Sequence, residues 1–131
     1  MNTFDHERLD VYQTALEWVV LCDDLVEHLP RGRGYLADQL HRAAISVPLN
    51  IAEGAGEFSK KEKSRFYRMA IRSATECAAI LDVCKFLKLT DDESACAGRD
   101  LLLRIVSMLT RLIRSLQKSG TGTGTGTERG R

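Results

Sequence analysis

The chain has little that would interrupt a helix and little that would stack on a base. Its 131 residues include two prolines, one tryptophan and 6% aromatic side chains. With Pro30 and Pro48 the only prolines, long stretches are open to helix, which disfavours a β-sandwich or a collagen; 44% apolar content disfavours a disordered chain. A chain of this length has room for one domain. No run approaches the roughly eighteen consecutive apolar residues of a membrane span. The opening Met1 to Glu7 lacks a basic stretch followed by an apolar one. A cytoplasmic protein with no membrane partner is expected. No C-x-x-C pair occurs among Cys22, Cys77, Cys84 and Cys96, so they read as reduced core thiols, in preference to a disulfide or a metal site.

Formal charge is also scarce in sum, at +1, but it is unevenly spread. Residues 1–30 hold seven acids against Arg8 alone, whereas residues 31–118 hold sixteen Lys or Arg against ten acids. Such a chain can present an anion-attracting face while staying nearly neutral.

Four segments carry helical periodicity. In the first, Val11, Ala15, Trp18, Cys22, Leu25 and Leu29 repeat at four and three residues, beside a second row of Leu9, Tyr12, Leu16, Val19 and Val26. At 3.6 residues per turn the rows together span an apolar arc on the order of 200°. Pro30 and the Arg31-Gly32-Arg33-Gly34 stretch end it. The second segment, about Tyr35 to Glu53, places Leu36, Leu40, Ala43, Ala44, Val47 and Ile51 inward. Pro48 lies inside it and predicts a kink, with Gly54 and Gly56 ending the helix at positive φ.

Ser59-Lys60-Lys61-Glu62 has the form of a capping box that opens a third helix running to about Leu89, with Phe66, Ala70, Cys77, Ile80, Cys84 and Leu87 inward. Thr90-Asp91-Asp92-Glu93 repeats the signal before a fourth, in which Leu102, Ile105, Leu109, Leu112 and Leu116 point inward beside Leu101, Val106, Met108 and Ile113. Short connections predict an all-α, antiparallel up-down-up-down four-helix bundle over residues 1–118, followed by a flexible Gly/Thr tail over 119–131. The breadth of the apolar arcs on helices one and four predicts a homo-oligomer that buries the surplus between subunits.

The strongest chemical signal is a pair of basic stripes. Lys61, Arg65, Arg68 and Arg72 fall within an arc of about 60°, and Arg104, Arg111, Arg114 and Lys118 within about 80°. One reading is a solvated face with local ion pairs; the other is a surface for phosphates, which the planar fork of Arg suits. Nothing resembles a ribonucleoprotein signature or a helix-turn-helix, so backbone contact without base readout is expected. His6, His28 and His41 are scattered and predict no metal site and no cofactor. Ser46, Asn50 and Glu53 share one side of helix two, but without a histidine they make a poor nucleophile. These groups are expected to bond the neighbouring helix, through Ser73 and Glu76, or to repair the backbone around Pro48.

The run Q-L-H-R-A-A-I-S-V-P-L-N-I-A-E-G from Gln39 to Gly54, followed by Ala70, Ser73 and Glu76, resembles the signature of the four-helix-bundle family of 23S rRNA intervening-sequence proteins, to which accessory variability determinants of diversity-generating retroelements are related. The resemblance assigns motif positions to Ser46, Asn50, Glu53, Gly54, Ser73 and Glu76. It implies a cytosolic bundle without known catalytic activity that forms a homopentamer. In the retroelement branch it further implies a basic surface that contacts nucleic acid and a reverse transcriptase.

Together these readings favour a non-enzymatic oligomer that binds RNA or DNA backbone through Lys61, Arg65, Arg68, Arg72, Arg104, Arg111 and Arg114, as an accessory to a ribonucleoprotein. The alternative is a protein-interaction scaffold whose stripes pair with Asp23, Asp24 and Glu27 of helix one across subunits. A third, an enzyme built on Ser46, Asn50, Glu53 and Glu76, is the least favoured.

Overall fold

Each helix starts and stops for a local reason. In the computed structural model, which describes residues 2–121 and side chains as far as Lys118, a single 3₁₀ turn (Asp5–Arg8) precedes α1 (Asp10–Glu27), α2 (Gly34–Ala55), α3 (Lys60–Phe86) and α4 (Asp92–Thr121). Ser59 is extended, and its Oγ accepts the Glu62 amide at 3.0 Å, which opens α3 as the capping signal predicts. The second half of the box is not made. The Glu62 carboxylate accepts from Arg65 Nε at 3.0 Å instead of reaching back. At α4 the cap falls one residue later than expected: Asp91, not Thr90, accepts the Ser94 amide at 2.7 Å and the Ser94 hydroxyl at 3.0 Å. The Thr90 hydroxyl is buried without a partner among the described residues. A carboxylate accepts more strongly than a hydroxyl, and the acid next along the chain wins.

α3 ends in a left-handed residue, Lys88 (φ 60°), with the Leu89 amide bonded to the Cys84 carbonyl at 2.8 Å. Gly32 (φ 91°) makes the turn between α1 and α2. Neither Gly54 nor Gly56 has positive φ, contrary to expectation. Gly54 stays helical and is needed for another reason: a Cβ there would lie 2.7 Å from Tyr67 Cε1 and 3.1 Å from Phe66 Cβ. The α2 C-terminus is closed by Lys63, whose Nζ donates to the Ala55 carbonyl at 2.8 Å and the Gly54 carbonyl at 3.4 Å. α2 runs unbroken through the buried Pro48.

Packing joins α1 to α2, α2 to α3, α3 to α4 and α4 back to α1, with no close backbone approach across either diagonal. Consecutive helices run antiparallel, as the pairs Asp23 with His41, Ser46 with Ser73 and Leu81 with Gly98 require. All described elements are helical, and the arrangement is that of a four-helix bundle. Trp18, Leu40, Ile51, Ile105 and Leu109 fill its centre, with Cys22, Cys77 and Cys84 among them as free thiols. Cys96 departs from the expectation of four core thiols: it is exposed on α4. Leu87, expected inward, is exposed beyond the end of α3. Of the expected Gly/Thr tail, backbone as far as Thr121 continues α4 and the rest lies outside the described residues.

The broad apolar arcs have a simple cause. A helix at the corner of a square bundle touches two neighbours at right angles, so it buries close to half its circumference. On α4 that consumes nearly the whole apolar face and leaves Leu103 exposed. Exposed apolar residues instead remain on α1 and α2: Leu16 and Val20 (37% and 71% exposed) on the first, and Ile45 and Leu49 (46% and 59%) on the second.

The Gly54 contact yields a stability prediction. Gly54→Ala gains about 1 kcal/mol of helix propensity but forces a methyl against a buried ring, an overpacking that costs about 1–3 kcal/mol. A net loss is expected in urea unfolding, with unchanged denaturant slope, and a larger loss for Gly54→Leu.

Candidate nucleic-acid interface

The seven cations proposed from spacing are all exposed, because each stripe lies opposite the buried face of its own helix. On α3 the inward line through Tyr67, Ala70, Ala74 and Cys77 turns Lys61, Arg65, Arg68 and Arg72 to solvent; on α4 the line through Leu102, Ile105, Leu109 and Ile113 does the same for Arg104, Arg111 and Arg114. Arg65 is partly engaged, with Glu62 and with its guanidinium 4.5 Å from the centre of the Phe66 ring. Arg111 donates to Ser107 Oγ at 2.9 Å. Lys61, Arg68, Arg72, Arg104 and Arg114 have no ion-pair or hydrogen-bond partner among the described residues.

Antiparallel packing brings the two stripes to one end. Cut at the level of Trp18, Ser46, Ser73 and Arg104, the end holding the α2–α3 turn carries eleven Lys or Arg against seven Asp or Glu among the described residues. The other end carries six against ten. The bundle is therefore polarised along its length. Between the 3₁₀ turn and α4, at the basic end, a groove of about 390 Å³ is lined by residues that include Arg8, Met108, Arg111 and Ser115.

The motif residues form a seam between α2 and α3. Ser46 Oγ and Ser73 Oγ are 2.8 Å apart, and Asn50 Nδ2 donates to both the hydroxyl and the carbonyl of Ser46, each at 2.9 Å. The first expected role is present, since the hydroxyls bond across helices; Asn50 bonds the Ser46 carbonyl and not that of Ala44, the one Pro48 frees. Gln39 Nε2 donates to Glu76 Oε2 at 3.3 Å above the seam. Glu53 is exposed and takes no part. Ser46 is thus bonded to a second hydroxyl and an amide, neither of which is a base.

Beside the seam opens a polar cleft of about 390 Å³ lined by Gln39, Arg42, Ala43, Ser46, Ser73 and Glu76. Sequence reasoning missed Gln39 and Arg42 as site residues, although Gln39, Arg42 and Ser46 follow one another at three and four residues on the side of Ser46. It also missed Ile45 and Leu49, an apolar pair four residues apart but off the inward row.

Titration properties set the thiols apart from this surface. Burial pushes the Cys22 and Cys77 thiols up to about 12. They stay protonated and pack as apolar groups. Among the described residues no three His, Cys, Asp or Glu side chains gather as metal ligands.

These features define an all-α four-helix-bundle protein with its hydrogen-bonded seam between the second and third helices. The model of the 23S rRNA-intervening sequence protein family matches residues 7–111, and the chain belongs to that family. No curated protein matches it.

At the acidic end, His28 Nδ1 lies 2.8 Å from the Asp24 carbonyl and 3.7 Å from its carboxylate, which together raise its pKa above the usual 6.5. Its stabilising contribution is therefore fully present below the ordinary histidine pKa and is lost as pH rises through the raised value. NMR titration should place the His28 ring above the value of a free histidine, and Asp24→Asn should bring it down.

Proposed function

We propose that this chain is a non-enzymatic, cytoplasmic four-helix-bundle protein that assembles as a cyclic homo-oligomer and binds RNA or DNA backbone through the stripes of α3 and α4. The observation that carries this reading is the set of five unpartnered cations, Lys61, Arg68, Arg72, Arg104 and Arg114, on neighbouring helices toward one end. Like charges at helical spacing repel, so the fold gains nothing from them, whereas a phosphate chain neutralises several at once. The family name supports a ribosomal-RNA setting, and the family resemblance supports a homopentamer acting as an accessory to a ribonucleoprotein or a reverse transcriptase. No cofactor or metal enters this reading.

In this reading the exposed apolar side chains Leu16 and Val20 of α1 and Ile45 and Leu49 of α2 supply the subunit contact. Pro48, between Ile45 and Leu49, lacks the amide that Ala44 would receive and bends α2 there.

Fluorescence anisotropy with a generic single-stranded RNA tests the first part. Binding should weaken by about tenfold between about 50 and about 200 mM salt, as expected for a few phosphate contacts. Changing Arg65, Arg68 and Arg72 together to Glu should abolish it. Salt-independent binding, or none at low salt, would overturn the proposal.

The lengthwise polarity favours a second reading, in which the basic end of one subunit meets the acidic end of the next and no nucleic acid binds. Light-scattering mass separates the two. In the first case the triple Glu variant keeps its oligomer, while Val20→Lys with Leu49→Lys disperses it; in the second the triple Glu variant disperses.

A further inference from the structure

The α2–α3 cleft holds two opposite charges that do not meet. Arg42 on α2 and Glu76 on α3 line the same opening, both exposed, yet they form no ion pair within 4.0 Å and Arg42 has no partner among the described residues. The opening exists because the facing positions are small: Ala43, Ser46 and Ser73 form its floor, where larger apolar residues would have closed the helices over it. The two hydroxyls are bonded to each other at 2.8 Å, and Gln39 holds one carboxylate oxygen of Glu76 by a bond of 3.3 Å, which leaves the other oxygen open. Arg72, an outward cation of the α3 stripe, adjoins Ser73 in the chain.

A guanidinium presents paired donors, and a carboxylate paired acceptors. Among the four RNA bases, guanine alone offers a match to both, with adjacent acceptors at O6 and N7 and adjacent donors at N1–H and the N2 amino group. In a single strand both edges are free to be read. We propose that the α2–α3 cleft takes an unpaired guanine, with Arg42 on O6 and N7 and Glu76 on N1–H and the N2 amino group, while Arg68 and Arg72 hold the adjoining phosphates. The proposal rests on the backbone-binding reading above and adds a base preference to it. It also reverses the expectation, drawn from the absence of known signatures, that no base is read.

The test uses the full chain and short fluorescein-labelled single-stranded RNAs: one of adenine, cytosine and uracil only, one with isolated guanines, and one with inosine at those guanines. The guanine strand should bind about tenfold more tightly than the guanine-free strand, the worth of a good bidentate pair. Inosine, lacking the N2 amino group, should give up part of that gain. Glu76→Gln and Arg42→Gln, both at exposed positions, should each remove the preference measured within the variant, as the ratio of guanine to guanine-free binding. Equal binding of all strands by the parent, with the expected salt dependence, would overturn the cleft and leave the backbone reading standing. A preference that survives in both variants would also overturn the cleft. Binding of no strand at low salt would remove the backbone reading and the cleft with it.

Discussion

Close contact between α2 and α3 is the constraint on which the rest of the molecule depends. Gly54 admits the Tyr67 ring, Ser46 and Ser73 meet at hydroxyl distance, and Ala43, Ala70 and Ala74 keep the remaining surfaces small. Helix separation follows the size of the side chains at the contact. Larger residues here would push α3 outward, open the Ser46–Ser73 bond and shift Tyr67 from its place over Gly54. The same small residues fix the register of α3 and hence its rotation, so the outward direction of Lys61, Arg65, Arg68 and Arg72 is set by what the opposite face buries. Charge placement at the surface is in this sense a consequence of packing at the seam.

Topology converts a charge pattern along the chain into one along the bundle. The chain begins acidic and turns basic, but folding in antiparallel returns Asp5, Glu7, Asp10 and Glu17 to the basic end, where they reduce its charge without pairing with the stripes. What remains is a modest axial polarity. Its internal cost is small, since each like-charged pair at helical spacing costs only about 0.2–0.5 kcal/mol. A bundle with this much buried aliphatic surface tolerates such repulsion.

Periodicity made most of this architecture legible. The four helices, the inward rows and the outward stripes all follow from spacing, because burial on a bundle corner repeats with the helix itself. The motif seam was legible in kind, as hydroxyls and an amide placed on one side of α2 with Ser73 as their partner. What spacing could not resolve was anything that depends on a neighbour's shape. Gly54 looks like a helix stop in sequence and proves to be a clearance for an aromatic ring. Thr90 and Asp91 both suit a cap, and the stronger acceptor, the Asp91 carboxylate, takes the place. Cys96 shares the composition of the core thiols but lies on the solvent side of α4. The cleft was least visible of all, since its defining property, an unmet Arg42 and Glu76, exists only once two helices are set side by side.

Geometry also separates the two surfaces that the functional reading needs. Leu16, Val20, Ile45 and Leu49 lie on α1 and α2 and the basic stripes on α3 and α4, so the residues proposed for the two roles sit on different helices. In the proposed assembly, subunits that join through these residues of α1 and α2 leave the α3 stripe open. Each added subunit then brings a further set of cations to the assembly, and a flexible polyanion that engages one set meets the next at high local concentration. Individually weak phosphate contacts suffice under that arrangement. A monomer net charge near zero is no obstacle to it, because the attraction depends on the field of the exposed rows and their number, with the acids held mainly at the far end.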